Sequence, residues 1–146
     1  TPRVAILSAV GQVTGKIPGT IDAEALCKMA QRGQIRGGVL DGPLALDNAI
    51  SLDAARIKGI ESDVAGRAQI LVVPDLEAGN MLAKNLTFLA GASAAGIVLG
   101  ARVPIILTSR ADSESTRLAS CAVASLYADY LGRKAVAVAA EGKANG

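Results

Sequence analysis

The chain has 146 residues, the length of one ordinary domain. It is 51% apolar and 19% charged, with 28 Ala and only three aromatics, Phe88, Tyr127 and Tyr130. Such a chain can fill a core with Ala, Val, Leu and Ile, which excludes disorder, and it offers almost nothing on which bases could stack. A formal charge of +2 is too small for a phosphate-tracking face, so nucleic acid is not an expected partner.

There is no histidine. That removes a Ser-His-Asp triad, a Cys-His pair and every HExxH metal site. Cys27 and Cys121 lie far apart without CxxC spacing, so a four-ligand structural zinc is excluded and both read as buried thiols of a reduced, intracellular chain. Apolar runs are broken by Gly, Ser or charge well before the ~20 residues of a membrane span. The opening Thr1 to Val10 reads as a strand rather than a leader. With no initiator Met and a core strand at its start, the chain is expected to be a piece of something longer.

In chain order, Val4 to Leu7 is a first strand, followed by a loop from Gly11 to Gly19. Thr20 is expected to cap a helix to about Arg32, with Asp22 and Glu24 in its first turn, Gly33 as its stop, and Ile21, Ala25, Leu26 and Met29 inward. Val39–Leu40 is a short strand ended by a turn, Asp41-Gly42-Pro43. Leu44 to Ile50 reads as helical and Ala54 to Ile57 as a weaker turn or helix. Gln69 to Val73 is a buried strand stopped by Pro74. Asp75 can cap the next helix, whose face is Leu82, Leu86 and Leu89 and which Gly91 ends. Gly96 to Leu99 and Pro104 to Leu107 are two further strands. Asp112 or Ser113 caps a last helix to about Leu131, with Leu118, Ala122, Ser125 and Leu126 inward. Residues 132–146 read equally as a strand or as an unstructured tail. Alternating strands and helices make the fold α/β, a layered sheet with helices on both faces. In such folds ligands sit beyond the strand ends, which selects the loops to inspect.

Four loops qualify. Gly11 to Gly19 fails as a Walker loop, because three residues separate Gly11 from Gly15 and Ile17 follows Lys16 where Ser or Thr would hold magnesium. It reads as a surface loop or as a backbone cradle for an anion. Asp41 to Asp47 reads as a turn with solvated acids, or as Asp41 or Asp47 facing a cleft. In Pro74 to Asn80, Asp75 is explained as a cap, whereas Glu77, Gly79 and Asn80 are not. Gly79 and Asn80 are poor first-turn residues and point to a close backbone approach. In Thr108 to Ser113, the following helix start offers free N–H groups, Arg110 a planar fork for phosphate oxygens, and Ser109 a hydroxyl.

Val-Pro-Asp-Leu-Glu-Ala-Gly-Asn (73–80) with Ala-Lys-Asn-Leu (83–86), Gly-Ile-Val-Leu-Gly-Ala-Arg-Val-Pro-Ile-Ile-Leu-Thr-Ser-Arg-Ala-Asp-Ser (96–113), Leu-Asp-Gly-Pro-Leu-Ala-Leu-Asp-Asn-Ala-Ile-Ser (40–51) and the opening Pro-Arg-Val-Ala-Ile-Leu-Ser (2–8) together resemble the phosphate acetyltransferase/butyryltransferase family. The resemblance runs from about Pro2 to Leu131, and its closest flavour is the transferase part of bifunctional proteins with an enoyl-CoA hydratase upstream. It implies reversible transfer of an acyl group between coenzyme A and phosphate. It also implies one lobe of an isocitrate/isopropylmalate dehydrogenase-like two-lobe fold, with the transferase domain at 1–131, a tail at 132–146, the first lobe missing, and a cytoplasmic homodimer. Coenzyme A, phosphate and acyl phosphate would be the ligands, with no resident cofactor, no metal and no membrane. Ser109 and Arg110 match the family's active-site Ser-Arg pair, and Asp112 is the nearest carboxylate for the base. Acetyl-type members carry Asp where Thr116 stands, which leaves the identity of the base open. Asp41, Gly42, Pro43, Asp75, Glu77, Gly79 and Asn80 match substrate-lining segments. A carboxylate base makes histidine unnecessary for ionising a thiol of pKa ~8.5. One lobe alone is expected to show little activity. The competing expectation is a phosphate- or nucleotide-binding module without catalysis, or an inactive fragment.

Overall fold

The computed structural model describes residues 1–144, with side chains described to Lys134. The chain divides into two compact units, Thr1–Ala83 and Lys84 onward.

The first unit is built around β1 (Arg3–Leu7), the central strand of a three-stranded parallel sheet. On one side β1 pairs with β2 (Val39–Leu44), Val4 opposite Leu40. On the other it pairs with β3 (Ile70–Val72), Val4 opposite Ile70. Strand alternation divides the core in two. Val4 and Ile6 pack with Ala23 and Cys27 of α1 (Pro18–Gln31). Ala5 and Leu7 pack with Leu44, with Ala49 of α2 (Leu46–Ile50) and with Ala55 of α3 (Leu52–Ile57). Helices therefore cover both faces of this sheet, as the alternation of elements predicts.

Three details of this unit depart from expectation. First, α1 begins at Pro18 and not after Thr20, because proline at the first helical position sets φ and gives up an N–H that has no partner there. Asp22 and Glu24 therefore fall beyond the first turn. Thr20 is buried inside the helix, where its hydroxyl accepts from Thr14 N at 2.9 Å and donates towards the Ile17 carbonyl at 2.8 Å. Second, the inward stripe of α1 is Thr20, Ala23 and Cys27, while Ile21 and Met29 are exposed. Small side chains bring the helix close to the sheet; of the expected face Leu26 packs half-buried against this core, while Ala25 is exposed with Ile21 and Met29. Third, Asp41-Gly42-Pro43 is not a turn but part of β2. The pairing with β1 shifts register there, and the Gly42–Pro43 peptide is cis. A proline fits because β2 is an edge strand.

In α4 (Leu76–Lys84) the Asp75 carboxylate accepts from Ala78 N at 2.7 Å, the expected cap. A π-helical turn (Asn85–Leu89) follows, and Gly91 lies just beyond it. Of the expected face, Leu82 is half-buried but Leu86 and Leu89 are exposed.

In the second unit, β4 (Ile97–Val98) and β5 (Ile105–Ile106) form a separate antiparallel pair and do not extend the parallel sheet. The six residues between them are few enough for a hairpin, whereas a parallel return needs a crossover of a dozen or more. The long α5 (Glu114–Ala144) packs against this pair. Ser120, fully buried, accepts from Gly96 N at 2.9 Å and donates to the Thr116 carbonyl at 2.7 Å. The inward positions are Ser120 and Ala124, one turn apart, while Leu118, Ala122, Ser125 and Leu126 are exposed. Nor does the helix stop near Leu131, since an alanine-rich run has high helix propensity whatever its alternation. The part of the expected tail at 145–146 lies outside the described residues. Cys27 is buried as expected, but Cys121 is exposed. Among the described residues no helix is long and apolar enough to cross a membrane.

Candidate active-site loop and strand ends

The loop between β5 and α5 is organised by its own polar groups. The Asp112 carboxylate accepts from Ser109 N at 2.7 Å, and Asp112 N donates back to the Ser109 carbonyl at 3.1 Å. This reciprocal pair closes a tight turn with Arg110 at its apex. Asp112 therefore shapes the loop, and Ser113 caps α5, its hydroxyl accepting from Thr116 N at 3.2 Å. Arg110 is exposed and makes no hydrogen bond or ion pair among the described residues, so its guanidinium is available to a ligand.

Lys84, at the end of α4, brings its ammonium to 3.4 Å from Ser109 Oγ, and the same nitrogen lies 5.6 Å from the Phe88 ring centre. Two cations, a hydroxyl and the start of a 31-residue helix therefore belong to one unit. This is a setting for an oxyanion. Reading the sequence did not single out Lys84. The signal for it was its position one helical turn after Asn80, on the helix that carries the Asp75–Asn80 motif.

The other expected site residues lie in the first unit. Asp41 lies within β2 and Asp75 follows β3, on opposite sides of β1. Asp41 Oδ1 accepts from Gly42 N at 2.9 Å, and Asp41 lines a hollow of about 190 Å³ together with Glu61 and Asp63. Three carboxylates there disfavour a phosphate. Gly42 and Pro43 are buried. A side chain at Gly42 would meet Ile6 O at 2.6 Å and Ile6 Cβ at 2.7 Å, so glycine is required for β2 to lie against β1. Gly79 has a similar reason: a Cβ there would come to 2.9 Å from Val73 Cγ2. The close approach expected at Gly79 is that of α4 to the end of β3. Glu77 and Asn80 are exposed.

Two groups have displaced pKa values. Burial, then the neighbouring charges of Asp41 and Glu24, push the Cys27 thiol up to about 11, so it stays protonated. Hydrogen bonds from Lys58 and from Asn48 N–H hold Asp47 below the usual carboxylate value. Among the described residues no three His, Cys, Asp or Glu are grouped so as to hold a metal ion.

The fold and loops have counterparts in known proteins. A phosphate acetyltransferase of Rhizobium meliloti is 78% identical over 139 residues, covering 95% of this chain and 43% of that protein. The crystal structure of a branched-chain phosphotransacylase from Enterococcus faecalis V583 superposes with a TM-score of 0.74 at 36% identity, covering 84% of this chain and 44% of that one. That of a phosphotransacetylase from Streptococcus pyogenes superposes with 0.75 at 31% identity, covering 88% and 39%. The chain thus spans less than half the length of each. The family model described as phosphate acetyl/butaryl transferase matches residues 1–125, which include every one of the loops above, and the chain belongs to that family.

Proposed function

We propose that this chain is part of a phosphate acyltransferase that moves an acetyl or short acyl group between coenzyme A and phosphate. The observation that carries this reading is the Ser109–Arg110 turn, closed by Asp112 and flanked by Lys84. In the direction of acyl-CoA synthesis, the thiol loses its proton to a base and attacks the acyl phosphate carbonyl. The C–S bond forms, the bond between the acyl carbon and the bridging oxygen breaks, and phosphate leaves with that oxygen and the electron pair. Arg110 holds the phosphoryl oxygens through its planar fork. Ser109, with Lys84 beside its hydroxyl, stabilises the oxygen on which charge develops. Asp112 is the candidate base, although one of its oxygens is already engaged by Ser109 N–H. Asp75, Glu77, Gly79 and Asn80 line the substrate cleft in this reading, and Asp41, Gly42 and Pro43 shape the end of β2. Coenzyme A is a substrate, and the chemistry requires no resident cofactor.

The two-lobe isocitrate/isopropylmalate dehydrogenase-like architecture belongs to the same proposal, with this chain supplying the second lobe. So does a homodimer working in the cytoplasm. Support for a missing lobe comes from the share of its relatives that the chain spans and from the apolar surface of the second unit, where Leu107, Leu118 and Leu126 are each more than 60% exposed. A lone lobe would turn over little.

The test is binding of acetyl phosphate to this chain by calorimetry, alongside CoA-dependent phosphate release. Arg110→Ala should weaken acetyl phosphate binding by about tenfold or more, the worth of a charge-assisted bidentate contact. Equal binding by the variant and the parent chain would remove Arg110 from the site and the reading with it.

A further inference from the structure

Phe88, the one phenylalanine of the chain, stands 65% exposed in the π-helical turn, so core packing does not account for it. The Lys84 ammonium sits over its ring, Nζ 5.6 Å from the ring centre, within the range of a cation–π contact. The two residues are four apart, a spacing that brings side chains together on a helix. Here the helix also widens: Ala90 N donates to the Asn85 carbonyl, five residues back, at 3.1 Å. Widened turns of this kind are frequent at functional sites. The backbone of Lys84 is tied to the same turn, its carbonyl accepting from Thr87 Oγ1 at 3.3 Å.

A lysine side chain is flexible, and its ammonium is strongly hydrated. Held over the ring, Nζ has a set direction, and it donates to Ser109 Oγ at 3.4 Å. Ala111 N donates to the same oxygen at 3.4 Å. A serine hydroxyl has one proton and two lone pairs. With both lone pairs facing N–H donors, the Ser109 O–H is left to donate, away from Lys84 and Ala111. An oxygen on which negative charge develops needs such a donor, whereas a hydroxyl turned the other way would meet it with a lone pair. We infer that Phe88 is a positioning residue of the transfer site: its ring holds the Lys84 ammonium against Ser109 Oγ and so turns the Ser109 proton toward the acyl phosphate. This rests on the transferase reading above.

The experiment measures acetyl phosphate binding by calorimetry for the parent chain, Phe88→Leu, Phe88→Tyr, Lys84→Met and the double variant of Phe88→Leu with Lys84→Met. The ε-methylene proton shifts of Lys84 are read by NMR wherever the lysine is kept. The ring should move these protons upfield in the parent chain and in Phe88→Tyr, but not in Phe88→Leu. Phe88→Leu should weaken binding about two- to fivefold, the worth of an exposed cation–π contact, with unfolding unchanged because the side chain is exposed. Phe88→Tyr keeps the ring face and should bind as the parent chain does. On the Lys84→Met background Phe88→Leu should change nothing, whereas a merely structural role would cost as much there as in the parent chain. The inference is overturned by equal losses on the two backgrounds, by a loss in Phe88→Tyr as large as that in Phe88→Leu, or by unshifted Lys84 protons in the parent chain. Should Phe88→Leu bind as the parent chain does while Arg110→Ala weakens binding, the Phe88 assignment falls and the transferase reading stands. Should the parent chain not bind acetyl phosphate, both fall.

Discussion

Gly42 shows how one residue can match a substrate-lining motif and yet be fixed by packing. Its neighbours in β1 leave no room for a Cβ, so Gly42→Ala must separate two paired strands. The expected cost is about 3 kcal/mol, the upper end for overpacking a tight site, read as a lower urea midpoint. A loss below about 1 kcal/mol would mean that the β2 register shift absorbs the methyl group. Gly79 was legible as a close approach, but not what approaches it, because Val73 contacts it through the tertiary fold. Asp75 was legible outright, since a cap is decided within four residues. Lys84 was not: its importance comes from a contact with Ser109, 25 residues away, and no local rule relates a helix end to a distant loop.

Elements were legible where local chemistry decides them. β1, β3 and the start of α4 lie within a few residues of their expected places, because short continuous apolar runs and a capping acid leave few alternatives, although β3 is not the buried strand expected, Ile70 and Val72 being exposed. The inward faces of α1 and α5 were misread for a common reason. Their contact stripes are Thr20-Ala23-Cys27 and Ser120-Ala124. In a chain this rich in alanine the smallest residues mark the closest approach, and of the larger apolar ones expected inward on these two helices Leu26 packs against the core while Ile21, Met29, Leu118 and Leu126 are exposed. The cap of α4 makes a prediction at this scale: Asp75→Ala should cost about 1 kcal/mol and lower helix content near residue 76, read by amide exchange across Leu76–Asn80. Exchange there equal to that of the parent chain would show that packing against β3 alone holds the first turn.

For the whole chain, the α/β class was legible, but the split into a three-stranded parallel sheet and a separate antiparallel pair was not, since periodicity does not say which strands pair. Stability as a function of pH also belongs to this scale. The Cys27 thiol has a folded pKa of about 11 against 9.0 for an unperturbed thiol. The unfolded chain gives up this proton first, so the contribution of the neutral thiol is full below pH 9.0 and is lost as pH rises through 11. Thermal unfolding of the parent chain should therefore fall more steeply over that window than that of Cys27→Ala. Parallel curves would mean that the thiol titrates normally in the fold.

The division of β1 between two cores sets a limit of another kind, on length. Val4 and Ile6 belong to the α1 side, Ala5 and Leu7 to the side of α2 and α3. One residue gained or lost inside the strand would exchange these pairs, offering Val and Ile to pockets shaped for Ala and Leu and inverting both cores at once. Evolution can therefore change the lettering of β1 within limits but not its spacing. A change of length costs less in the exposed stretch from Ala9 to Val13, which follows the last residue of β1 packed in either core and precedes Thr14, itself tied to the buried Thr20. The sheet thus fixes the length of its central strand, while the loop that leaves it can change without the sheet being rebuilt.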